Sequence, residues 1–124
     1  MQYTISDQEP GRIDAIYHSG YLTSQGDNGV YTGQATGDTS FGFPGRYTIS
    51  YQAHGGVVFG PFDWTITRRG DVYDLHWSQD GQTVMRGFGI ANTGQSIIVT
   101  YWSATRGGSL GCLPASPKAD LLRY

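Results

Sequence analysis

The sequence predicts an all-β chain: a single antiparallel up-and-down β-barrel of about eight strands, with a short helix near its C-terminus. Three observations carry this. Residues 62–102 hold four runs of alternating side chains, Phe62–Thr67, Asp71–Trp77, Thr83–Ile90 and Ser96–Trp102, separated by short turns at 68–70, 80–81 and 92–94. Glycine (19) and tyrosine (9) are abundant while Lys118 is the only lysine, a balance that suits strands joined by tight turns. Turn signals recur every eight to twelve residues, a spacing of sandwiches and barrels, and short sequential hairpins favour the up-and-down order. At 124 residues the chain is one domain, and closing the sheet removes its edges.

Taken in order, residues 2–9 read as a first strand that stops at Pro10-Gly11. Arg12 to Thr23 is a second run, with Ile13, Ala15 and Tyr17 alternating against Asp14, Ile16 and His18 and an interruption at Gly20. Asn28-Gly29 is the dipeptide of a type I′ hairpin turn, and Val30 to Thr36 follows as a third strand. Residues 37–45 form a loop carrying Phe41 and Phe43, either a plug over one end of the core or a lid over a pocket. Arg46 to Gln52 alternates cleanly; Val57 to Thr67 follows a glycine turn, and Pro61 marks an edge, a bulge or a strand start. After the four-run meander, Ser109 to Leu113 reads as a last short strand, and Ser116-Pro117 as the cap and first turn of a helix running to Arg123.

Charge and cysteine usage exclude several classes. The formal net charge is −2 and no basic cluster exceeds Arg68-Arg69, so nucleic acid is not an expected partner. The single cysteine, Cys112, rules out an internal disulfide and a thiolate zinc knuckle. Neither a signal peptide nor a membrane-spanning run is visible, so the expected location is cytoplasmic, or secreted if Met1 replaces a removed signal. No ligand spacing predicts a metal, and no phosphate-binding glycine loop predicts a cofactor.

The stretch Gly45-Arg46-Tyr47, Phe59-Gly60, Trp64 to Ile66, Gly70 to Trp77, Gly87 to Ile90 and Ile98 to Tyr101 resembles the glycine and aromatic pattern of small bacterial β-proteins, mostly of unknown function. The layout is also similar to lipocalin-like and avidin-like barrels, without the G-x-W opening of lipocalins. The resemblance implies an architecture and no catalytic residue.

Facing follows from alternation. Tyr47, Ile49 and Tyr51, Phe62, Trp64 and Ile66, and Tyr73, Leu75 and Trp77 form one consistent apolar face, set inward against polar partners. Two strands are ambiguous. Val84, Arg86, Phe88 and Ile90 oppose Met85, Gly87 and Gly89; if the first set points in, Arg86 needs an anionic partner, and if the second does, the glycines clear space for a ligand or for facing indoles. Ile97, Val99 and Tyr101 likewise oppose Ile98, Thr100 and Trp102.

A core rich in Tyr and Trp has polar ends to satisfy. It suits a hydrophobic pocket for a flat, partly polar small molecule, or the rings simply fill a narrow barrel. The expected pocket lining is Tyr47, Tyr51, Trp64, Tyr73, Trp77 and Tyr101, with Phe41 and Phe43 near the mouth. An enzyme on the same scaffold, such as a cyclase or isomerase, needs an inward acid or base, for which Arg86, His18 and Glu9 are the candidates. A third class is a homo-oligomeric interaction module using Trp102, since Tyr101 and Trp102 face opposite ways. Asp74 and His76 share a face and read as a solvated surface pair; Gly107 to Gly111 matches G-x-S-x-G outside the α/β context the motif needs.

Overall fold

The computed structural model describes residues 1–104; the predicted strand at 109–113, the helix from Ser116, the G-x-S-x-G match and Cys112 lie outside them. Eight strands close into an antiparallel barrel in sequence order: β1 (Gln2–Ile5), β2 (Arg12–Tyr17), β3 (Tyr31–Gly37), β4 (Gly45–Gln52), β5 (Val58–Arg69), β6 (Val72–Gln79), β7 (Gln82–Thr93) and β8 (Ser96–Ser103). The predicted up-and-down barrel is therefore the fold. The alternation of the sequence becomes the alternation of burial, as in β4, where Tyr47, Ile49 and Tyr51 are buried and Arg46, Thr48 and Gln52 exposed or half-buried.

Pro61 takes the bulge alternative: β5 runs unbroken, and its pairing with β4 shifts register between Ile49 and Tyr51, where Gly60-Pro61 is accommodated. The second predicted run is shorter than expected. β2 stops at Tyr17, and one helical turn, α1 (Gly20–Ser24), follows. Asn28-Gly29 does not form a hairpin turn; neither residue has positive φ, and the chain from His18 to Val30 is a strap instead. Its anchor is His18, whose Nδ1 lies 2.6 Å from the Gly29 carbonyl and whose Nε2 lies 2.6 Å from Thr23 Oγ1. Because a carbonyl only accepts, Nδ1 donates to Gly29, and Nε2 shares a hydrogen bond with the Thr23 hydroxyl.

Both ambiguous strands are resolved by volume. Trp77 and Leu75 point inward from β6, opposite Met85 and Gly87 on β7. A Cβ on Gly87 would sit 3.3 Å from Trp77 Cζ3, and one on Gly89 would sit 3.1 Å from Val99 Cγ2. The glycines therefore face in and make room for the indole, while Arg86, Phe88 and Ile90 face out. On β8, Ile97 and Val99 are buried and Tyr101 half-buried, so Ile98, Thr100 and Trp102 form the outer face.

The interior is packed with rings. Trp64, fully buried, lies 4.8 Å from Tyr3, 5.5 Å from Tyr47 and 6.0 Å from Trp77 between ring centroids. Eight strands leave an interior just wide enough for side chains, and here two indoles and three phenols occupy its middle.

Candidate functional site

The two ends of the barrel differ. At the end reached by the bottoms of β3 and β4, the 38–44 loop turns inward and Phe43, 4% exposed, packs edge-on against Tyr73 at 5.8 Å. Tyr47 holds that loop by donating its hydroxyl to the Phe43 carbonyl at 2.9 Å. Burial, and then the nearby Asp38 charge, push the Tyr47 phenol up to about 12. This end is plugged.

The opposite end carries α1, the turn at 54–56 and the tops of β5, β7 and β8. There the packing stops short of the rim. A cavity of about 200 Å³ is lined by Met1, Tyr17, Ser19, Leu22, Tyr51, Phe59, Phe62, Met85 and Tyr101. Beside it, between β2 and β8, lies a groove of about 500 Å³ that shares Met1, Tyr17 and Tyr101 with the first. Leu22 reaches this mouth because the His18 clamp fixes the α1 turn over it, and Ser19 Oγ accepts the Leu22 amide at 3.3 Å. Phe59 and Phe62 both reach it because the bulge lets Phe59 pair with Tyr51 and Phe62 with Ile49.

The floor of the mouth is polar at one place. Trp77 Nε1 donates to Tyr51 Oη at 2.7 Å, Tyr51 Oη and Tyr3 Oη are 2.8 Å apart, and Tyr3 Oη donates to Met1 Sδ at 2.8 Å. Burial pushes the phenols of Tyr3 and Tyr51 well up, so both stay protonated and able to donate.

Of the predicted lining, Tyr51 and Tyr101 are at the mouth. Tyr47, Trp64 and Trp77 instead fill the barrel, each 4% exposed or less, because their combined volume matches a narrow interior. Tyr73 and Phe43 belong to the plugged end, so Phe43 is the plug rather than a residue of the mouth. Phe41 is 84% exposed and lines no part of the mouth. The mouth residues missing from the predicted lining are Met1, Tyr17, Ser19, Leu22, Phe59, Phe62 and Met85. Tyr17 and Phe62 carried a signal, since each continues an inward alternation; the α1 contribution had none.

The candidate acid–base residues do not converge. Arg86 is exposed on the outer wall opposite His76 and Trp102. Glu9 is exposed at the plugged end, 3.3 Å from Arg12. His18 is engaged in the strap. Asp74 and His76 face outward; Asp74 pairs with Arg69 at 2.7 Å and His76 Nε2 with Thr83 Oγ1 at 2.8 Å. Among the described residues no group of three or more His, Cys, Asp or Glu side chains is placed to hold a metal ion, and no helix is long and apolar enough to cross a membrane. Compared with protein-family models, curated proteins and solved structures, the chain matches none of them, so the fold and the site stand on the residues themselves.

Proposed function

We propose that the protein binds a small, flat, mainly apolar molecule at the open mouth of the barrel. The observation that carries this is the contrast between the ends: one is closed by Phe43, while the other leaves a cavity of about 200 Å³ walled by aromatic and aliphatic side chains under a clamped helical turn. Apolar concavities with a few placed polar groups are the usual form of a small-molecule site. The volume suits a one- or two-ring ligand, with a longer substituent running into the adjoining groove. Titration with 1-aminonaphthalene, followed by its fluorescence, tests the reading. Saturable binding is expected, and Phe59→Ala, which removes a half-exposed ring from outside the buried core, should weaken it about tenfold. Non-saturable binding, or equal binding by the variant, would remove the mouth as the site.

The outer wall supports a second role, self-association with another copy of this chain. Phe88 stacks on Trp102 at 5.2 Å, and Ile90 pairs with Ile98 on the same outward face. Ile98 and, across Gln2 of β1, Ile16 extend this exposed apolar face, the kind of surface that marks a protein contact. Sedimentation should show a dimer that Ile90→Lys dissociates; a wild-type monomer at high concentration removes this role.

A further inference from the structure

The hydrogen bonds on the floor of the mouth have a fixed direction. An indole N–H only donates, so Trp77 gives its proton to Tyr51 Oη. A thioether only accepts, so Tyr3 gives its proton to Met1 Sδ. Each phenol has one proton, so the middle bond runs from Tyr51 to Tyr3. The three donors thus form a polarised relay, Trp77 to Tyr51 to Tyr3, in which each bond strengthens the next. It starts at a fully buried indole and ends on the side chain that separates the mouth cavity from the adjoining groove, since Met1 lines both.

The terminus of this relay is mismatched. A cooperative chain of strong donors ends on sulfur, a weak acceptor, carried by a flexible side chain at the cavity surface. We propose that the Met1 thioether holds the place of a ligand oxygen: the molecule bound at the mouth carries a neutral acceptor, such as a ketone or ester carbonyl, that displaces the Met1 side chain and receives the hydrogen bond from Tyr3. The proposal rests on the mouth being the binding site and adds the chemical class of its ligand. No cationic side chain lines the cavity, and the Met1 α-ammonium is engaged by the Val99 carbonyl at 3.2 Å, so a neutral acceptor suits the Tyr3 position better than a carboxylate. The phenols keep their protons across the physiological range, since burial raises both. Displacing the Met1 side chain also joins the cavity to the groove, which gives the ligand's substituents a way out between β2 and β8.

The probes are 1-indanone and its hydrocarbon counterpart indane, which differ by one carbonyl oxygen. Wild-type protein should bind 1-indanone about fivefold to tenfold more tightly than indane, the increment of one hydrogen bond net of the lost contact to sulfur. Tyr3→Phe should abolish that preference. Tyr51→Phe, which breaks the relay but keeps its last donor, should reduce the preference only in part. The carbonyl stretching band of 1-indanone needs no variant: it should move to lower wavenumber on binding wild type, relative to its position in cyclohexane. Equal affinity for the two probes, an unshifted band, or a preference that survives Tyr3→Phe overturns the proposal while the mouth remains a site. Binding of neither probe overturns the mouth reading and the proposal with it.

Discussion

Replacing Gly87 by alanine should be a strongly damaging single-methyl change inside the barrel. The added Cβ would lie 2.7 Å from the Thr100 carbonyl oxygen, 3.3 Å from Trp77 Cζ3 and 3.3 Å from Tyr101 Cβ. The first is a backbone atom of the adjoining strand β8, which cannot retreat without disturbing the β7–β8 ladder. The second belongs to a fully buried indole, packed on Trp64 and tied to Tyr51 by its N–H. Overpacking of this kind costs about 1–3 kcal/mol, and loss of the Trp77–Tyr51 bond would add about 1–3 kcal/mol for an unsatisfied buried donor. A total of roughly 2–6 kcal/mol corresponds to a fall in Tm of roughly 8–25 °C for a domain of this size. Urea unfolding followed by tryptophan fluorescence measures it. The series supplies its own controls. A Cβ on Gly89 meets only the ends of aliphatic side chains, Val99 Cγ2 at 3.1 Å and Ile97 Cδ1 at 3.2 Å, and should cost less; one on Gly94 meets nothing within 4 Å and should cost almost nothing. If Gly87→Ala unfolds at the same urea concentration as Gly94→Ala, the inward facing of β7 and the reason given for its glycines are wrong.

Three further outcomes follow from the same packing. Phe43→Ala should destabilise by about 3–5 kcal/mol, and Phe41→Ala by less than about 0.5 kcal/mol, since one ring is buried against Tyr73 and the other is in solvent; equal effects in thermal melts would contradict the plug. Trp77→Phe should cost about 1 kcal/mol more than Trp64→Phe, because it strips Tyr51 of a donor whereas Trp64 Nε1 has no partner among the described residues; denaturant midpoints decide. The third concerns alkali. With Tyr47 raised to about 12 and Tyr3 and Tyr51 also raised, the native state holds protons that the unfolded chain loses near 10. The stability tied to these phenols is complete below pH about 10 and declines as the pH rises towards 12. Phenolate absorbance should therefore show a late phase that coincides with loss of near-ultraviolet circular dichroism. Complete titration near pH 10 with the fold intact would contradict it.

Much of the fold was legible because one face of each central strand is buried. The Phe62–Ile66 and Tyr73–Trp77 alternations give both the strands and their inward sides. Strand β7 was illegible by hydrophobicity alone, since Phe88 (46% exposed) and Ile90 (58%) face solvent while Gly87 and Gly89 face the core. What decides it is the volume of Trp77 across the ladder, a pairing fact rather than a property of β7. The α1 strap was hidden because Asn28-Gly29 is a strong local turn signal, while the fixing contacts come from His18 to Thr23 and Gly29. Whether the aromatic face surrounds a space or fills it depends on strand tilt and stagger, which fix the barrel's width and leave no mark on alternation. Tyr51 and Tyr101 were found as site residues by facing; Leu22 and Met85 depend on which end stays open, and that is set by the 38–44 loop turning inward at the other.

The shortness of β1 bears on how the barrel comes together. The hairpins from β5 to β8 join neighbours in sequence and can zip locally, whereas the hoop closes only when the first strand meets the last, through Gln2 with Ile98, Tyr3 with Ile97 and Thr4 with Ser96. Loop-closure entropy places such a junction late in folding and early in unfolding. Amides of β1 should therefore exchange with solvent through a partial opening of lower free energy than the one that exposes β6 and β7. The same junction bears Met1 and Tyr3, so the clasp of the hoop and the latch of the mouth are one element, and a ligand that engages Tyr3 would slow exchange along the whole seam.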